Sequence, residues 1–186
     1  MKKTLRNIAE IFSGIYIKPG LDGDIYYFQA KHFDKGKFDV SVKPELKFNW
    51  NMSQYLLRPG DILLAIKGNN NFAYHYDGIV EKAVASSTFI VIRLLDQRSI
   101  LPEFFSWYLN HPQTQLFFKD QSRGTDIRSI TIRSVKELGV FIPPIQKQKT
   151  ILELDTLRKR EKELLLQIAG LRENLIQKQL LHSIKK

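Results

Sequence analysis

Asp34, Glu45 and Lys47 set an aspartate ahead of a Glu-x-Lys pair, a pattern able to hold a divalent metal and position a water for phosphodiester cleavage. Carboxylates and lysines crowd this stretch, so a solvated charged surface explains the same residues. His32, His75, His111 and His182 lack ligand-like spacing. The absence of cysteine removes thiol nucleophiles, thiolate zinc sites and disulfides together. No glycine-rich phosphate loop occurs, and "NHPQ" at Asn110 lacks the second proline and aromatic residue of an adenine-methyltransferase motif. These residues favour a chain that binds over one that carries out chemistry.

Charge says what it would bind. A formal net charge of +10 and an isoelectric point near 9.7 favour polyanions, nucleic acid first, through phosphate neutralisation and counterion release. The basic excess is shared about equally between the residues before Lys147 and those from it onward, so it is not a disordered tail.

Two segments are suited to DNA. In "AIKGNNNFAY", Lys67 can meet phosphate beside Gly68, while Asn69, Asn70 or Asn71 offers the paired donor and acceptor that match an adenine edge. A plain polar turn explains the same composition. In "KDQSRGTDIRSITIRSVK", Arg123, Arg128 and Arg133 can hold phosphate or read guanine, and hydroxyls such as Thr125 can fix register on the backbone. Asp126 can position one of these arginines or neutralise it. Lys18 in "SGIYIKPG" is a further phosphate contact. The aromatic residues, Trp50 and Trp107 among them, are assigned to core packing rather than base stacking.

The elements that would carry these loops follow from periodicity. "DIYYFQA", "SQYLLRPGDILLAIKG" and "STFIVIRLL" read as strands, with Pro59-Gly60-Asp61 as a turn between two runs, and Leu138 to Ile142 as a last short strand. "LPEFFSWYLNHPQTQLFFKDQ" reads as helix from Pro102, with Pro112 either ending it or opening a second one. Strands do not alternate regularly with helices, so the class is α+β, a mixed strand-rich domain over 1–144.

Past Pro143-Pro144 the pattern becomes that of one long coiled-coil helix over 145–186. Leu154, Leu157, Leu164, Ile168, Leu171 and Leu175 fall on a and d positions of a heptad frame, with Glu161 taking one a position and Lys178 and His182 entering the seam later. Helical from about Gln146 to Ile184, it would run roughly 55 to 60 Å at 1.5 Å per residue, and its broad apolar stripe asks for a partner. No window approaches the ~18 apolar residues of a membrane span, and "MKKTLRNIAEIF" lacks a signal peptide's apolar region, which points to a cytoplasmic chain with no membrane partner.

"LRNIAEIFSG", "LRPGDILLAIKG", "FIVIRLLDQRSILPEFFSWYLNHP" and "RGTDIRSITIRSVKELGVFIPPIQKQKTI", followed by a Leu-rich helix, resemble the specificity subunit of type I restriction-modification systems nearly end to end. At the junction Pro143, Pro144, Ile145, Gln148 and Ile151 match the family pattern, whereas Lys147 stands where an acidic residue is usual. The resemblance implies a target-recognition domain that reads one half of a split double-stranded DNA sequence, then a helix serving as spacer and docking surface. The partners it implies are adenine methyltransferase subunits, which would bind S-adenosylmethionine, and a restriction motor subunit; this chain would hold no cofactor. A specificity subunit of this kind has two recognition domains and two helices, and one of each here implies a half-subunit acting on a split palindrome as a homodimer whose two helices pair antiparallel. The rival readings are a metal-dependent nuclease, a structural or decoy protein that captures a methyltransferase, and a basic coiled-coil repressor.

Overall fold

The computed structural model describes residues 2–20, 22–34, 36–66, 71–121 and 130–184. Contacts divide the chain into two units, Met1–Gln148 and Lys149–Lys186.

The first unit is built on a four-stranded antiparallel sheet. Its strands are β2 (Ala9–Ser13), β6 (Ile62–Ala65), β7 (Ala73–His75) and β9 (Phe89–Leu94), in the order β2-β9-β6-β7. All four residues of β6 are buried, which is why "ILLA" shows no alternation: the strand lies inside the sheet with both faces covered. Among the described residues the first unit also holds three two-stranded pairs. β1 (Lys2–Thr4) is antiparallel to β10 (Gly139–Phe141), β3 (Tyr26–Phe28) is parallel to β8 (Ala83–Ala85), and β4 (Phe33–Asp34) forms a small hairpin with β5 (Lys37–Phe38).

One core cluster gathers Phe28, Leu63, Tyr76, Phe89 and Val91, with the Phe28 and Phe38 rings stacked at 4.3 Å and Phe33 edge-on to Phe28 at 5.8 Å. A second joins Ile25, Tyr27, Leu46, Met52 and Val84. Each fully buried aromatic or aliphatic side chain contributes roughly 1.5 to 3 kcal/mol.

The expected strand over Ser53 to Arg58 is not one. Trp50–Tyr55 is a 3-10 helix opened by the Asn49 side chain, which accepts from the Asn51 N–H at 3.0 Å, and Leu56 adds a single bridge to Val84. An asparagine cap outweighs the β preference of a short apolar run when only Met52 of the helix is buried.

Beyond it the Pro59-Gly60-Asp61 turn holds. Gly60 takes φ +97°, a conformation that favours glycine, and the buried Asp61 carboxylate accepts from the Arg58 N–H at 2.8 Å. The same carboxylate takes both arms of Arg93, at 2.8 and 2.7 Å, and Arg93 also donates to the Leu56 carbonyl. This bond and the nearby negative charge raise the Arg93 pKa against its partial burial.

Pro112 opens a second helix. α1 (Pro102–Asn110) stops at His111, which is extended at φ −65°, ψ 139°, because a residue before proline is pushed out of helical geometry; α2 (Pro112–Gln121) begins immediately after. α3 (Ile132–Glu137) starts at Thr131, whose hydroxyl accepts from the Ser134 N–H while the Ser134 hydroxyl accepts from the Thr131 N–H.

α4 (Ile145–Ile184) follows the double proline directly. The Pro144 carbonyl accepts from the N–H groups of Lys147 and Gln148, and no acidic residue lies in the first turn. With Lys147 where a carboxylate would suit the helix dipole, the fully buried Gln148 side chain supplies the anchor instead. It accepts from the Leu101 N–H at 2.9 Å and donates to the Ser99 and Pro143 carbonyls, both at 2.8 Å.

Candidate nucleic-acid interface

The first candidate loop joins β6 to β7, neighbours in the sheet with register Ile62↔His75, Leu63↔Tyr74 and Leu64↔Ala73. The Ala65 N–H reaches across to the Phe72 carbonyl at 2.8 Å, so both strands are held up to the mouth of the loop. Lys67, Gly68, Asn69 and Asn70 lie outside the described residues. Asn71 is half-buried, and its side-chain oxygen has no hydrogen-bond partner among the described residues. Phe72 packs its ring on Phe33 at 5.3 Å and Phe89 at 5.9 Å, fixing the exit of the loop to the aromatic core.

β7 is an edge strand, and Asn110 at the end of α1 covers the edge. Its amide donates to the Ala73 carbonyl at 2.7 Å and accepts from the Ala73 N–H at 2.9 Å, the exchange a neighbouring strand would make. Ser106 adds a hydroxyl bond to the same carbonyl at 3.2 Å. Sequence reading considered Asn110 only for methyltransferase chemistry; the pairing of one amide with both backbone groups of a residue 37 positions away has no local signal.

The second candidate segment connects α2 to α3 in the chain. Arg123, Thr125 and Arg128 lie outside the described residues. Arg133 sits on α3 with an exposed side chain, paired with Glu137 at 3.1 Å. An exposed i,i+4 pair of this kind contributes about 0.3 to 0.5 kcal/mol and yields readily to a phosphate.

Lys18 lines a cleft with Asp22, Glu45, Lys47 and Met52. Beside this stretch the aromatic assignment needs correction: Trp50 is 81% exposed, with its ring edge-on to Phe48 at 5.4 Å, whereas Trp107 does pack, stacked on Phe104 at 5.7 Å. Trp50 opens a 3-10 helix too short to bury more than Met52, so its ring stays outside.

Asp34 pairs in register with Lys37 on the β4–β5 hairpin, while Glu45 faces His32 at 3.9 Å and accepts from Gln29 at 3.4 Å. Among the described residues no three His, Asp or Glu side chains converge on a metal position. Burial lowers the His32 pKa, with Glu45 opposing the shift, and the neutral ring accepts from the Gln29 N–H.

In the second unit the seam residues Leu154, Leu157, Leu164, Ile168, Leu171 and Leu175 are all exposed. Asp155 is bound by Arg158 at 2.8 Å and Lys159 at 2.6 Å; partial desolvation pushes its pKa up, and these partners outweigh it to hold the pKa below the usual carboxylate value. No described helix is long and apolar enough to cross a membrane.

Solved structures share this fold. The type I restriction-modification system S subunit from M. genitalium is 20% identical, with a TM-score of 0.57 over 88% of this chain and 40% of that one. The HsdS subunit from Thermoanaerobacter tengcongensis is 16% identical, with a TM-score of 0.58 over 86% of this chain and 37% of that one. A chain from a study of complex assembly and conformational transition in the type I R-M system is 18% identical, with a TM-score of 0.56 over 88% and 39%. This chain therefore spans about two fifths of the length of each. No curated protein matches it. The family model of the type I restriction modification DNA specificity domain matches residues 2–168, recognition fold and most of the helix together, and the chain belongs to that family.

Proposed function

We propose that this chain is a DNA-reading half of a type I specificity assembly, working as a homodimer on a split palindromic target and directing adenine methyltransferase subunits to it, with a restriction subunit as the further partner. The observation that carries the reading is the family match, which embraces one strand-rich domain and one helix whose apolar seam is exposed. The chain supplies recognition and no chemistry: base flipping and methyl transfer from S-adenosylmethionine belong to the methyltransferase.

In this reading the two loops beside the Asn110-covered sheet edge and α3 contact DNA. Lys67 and Lys18 meet phosphate, Asn69 to Asn71 offer adenine-matching amides, and Arg123, Arg128 and Arg133 supply guanidinium forks, with Thr125 on the backbone. Domains 1–144 and 145–186 divide the labour between reading and spacing, and the gap in the target follows from the helix.

The test is reconstitution with the methyltransferase subunits and sequencing of the methylated adenines. Exchanging Lys67 to Asn71, or Arg123 to Arg133, for the segment of another family member is expected to change or abolish the methylated sequence while leaving the dimer intact. Unchanged methylation after both exchanges would remove these loops from the interface. Random duplexes that yield no enriched sequence with the assembled complex would replace DNA reading by simple capture of a methyltransferase.

A further inference from the structure

The seam of α4 is interrupted twice, by residues of opposite charge. In the frame that starts with Leu154 at a, Glu161 occupies an a position and Lys178 a d position, and Leu164, Ile168, Leu171 and Leu175 fill the seam between them. Among the described residues neither the Glu161 nor the Lys178 side chain has an ion pair or hydrogen bond within the chain. Their neighbours do: Asp155 is held by Arg158 and Lys159, Glu163 by Arg160, and Glu173 by Gln177. A charge left unanswered in a seam that becomes buried is costly, so whatever covers these leucines must answer both.

A second copy of the helix does so in one arrangement. When two heptad helices run antiparallel, each a position faces a d position of the other, and the residue numbers of every facing pair add to one constant. Setting Glu161 against Lys178 of the second copy fixes that constant. Leu164 then meets Leu175, Ile168 meets Leu171, and Leu157 meets His182, so four apolar layers lie between two layers that each pair a glutamate with a lysine. A slip of one heptad sets Glu161 against Leu171 in one direction and Lys178 against Ile168 in the other. A parallel in-register pair sets glutamate on glutamate and lysine on lysine.

We infer that, in the antiparallel homodimer that the family resemblance implies, the α4 helices of two copies meet about an axis midway between Ile168 and Leu171, with Glu161 of each copy against Lys178 of the other fixing the register. The inference rests on the homodimer reading above and adds a stated register to it. Charge complementarity commits the seam to its own copy, because the order Glu, Leu, Ile, Leu, Leu, Lys is its own antiparallel complement. The leucine and isoleucine layers supply the attraction; the charged layers discriminate, since every other alignment buries a charge against an aliphatic side chain or a like charge.

The chain lacks cysteine, so engineered thiols report the register without background. Full-length chain carrying Leu164→Cys is mixed with chain carrying Leu175→Cys in a glutathione redox buffer, and the mixed disulfide is expected as the main product. Leu164→Cys mixed with Ile168→Cys, which a one-heptad slip would bring together, is expected to yield little. A dimer by light scattering that instead forms the 164–168 disulfide overturns the register and leaves the homodimer reading standing; a monomer at every concentration overturns both. In the same assay Glu161→Lys is expected to weaken the dimer roughly 100-fold, and adding Lys178→Glu to that chain to bring it back within about 10-fold of the parent. A folded double variant that stays as weak as Glu161→Lys removes the ion pairs from the selection of register.

Discussion

Replacing Gln148 tests how the first turn of α4 is held. Its side chain is fully buried and makes three hydrogen bonds to the backbone, from Leu101 and to Ser99 and Pro143. Each bond contributes about 1 kcal/mol net, and a buried N–H left without an acceptor costs about 1 to 3 kcal/mol, so Gln148→Ala should destabilise the domain by roughly 3 to 5 kcal/mol. At about 2 to 4 °C per kcal/mol for a domain of this size, the midpoint of thermal unfolding should fall by about 10 °C. Gln148→Met keeps the volume and loses the bonds, so it should lose most of the same stability. Gln148→Glu can still accept from Leu101 but turns a carboxylate toward two carbonyl oxygens. Its folded-state pKa is therefore raised, the folded state binds more protons than the unfolded one, and the variant's deficit should grow as pH rises through the carboxyl range. Near-ultraviolet circular dichroism follows the aromatic core and thus this unit. A midpoint within about 2 °C of the parent for both Gln148→Ala and Gln148→Met would refute the anchoring argument.

Three further outcomes follow from the first unit. Asp61→Asn breaks a buried pair and leaves Arg93 without its carboxylate, so urea unfolding should show a loss of about 3 to 5 kcal/mol. His32 has a lowered folded pKa, so the folded state binds fewer protons than the unfolded one: stability is complete above the ordinary histidine pKa of about 6.5 and lost as pH falls through it, and His32→Gln should flatten that slope in melting curves from pH 7 to 5. Gly14 lies so close to β8 that an added Cβ would collide with the Ala85 and Ser86 carbonyl oxygens, so Gly14→Ala should cost about 1 to 3 kcal/mol in the same urea assay.

Legibility from sequence followed length and chemistry. α4 is legible because 40 residues keep one periodicity after a double proline, and β6 and β9 because their apolar runs are bounded by turn residues. β3 and β10 lie inside the expected strands "DIYYFQA" and Leu138 to Ile142, though each is only three residues long; β1, β7 and β8 are equally short and show no period, and the parallel pairing of β3 with β8 is a matter of tertiary packing alone. The 3-10 helix at Trp50 is hidden behind a β-like composition, and with it the exposure of its tryptophan. Gln148 is visible as a matched position in the junction motif, but its task depends on a turn 47 to 49 residues earlier in the chain. Asn110 as an edge cover for β7 has the same character.

The pairing of β1 with β10 sets a timetable for synthesis. Lys2 faces Phe141 and Thr4 faces Gly139, so β1 is completed by a strand that leaves the ribosome well over a hundred residues after it. At about 5 to 20 residues per second, β1 waits roughly 7 to 30 s for its partner. Three residues make a poor template for stray strand addition, which keeps that wait harmless. The α4 sequence begins only four residues after β10 ends, so its leucine seam is translated as the domain becomes able to close.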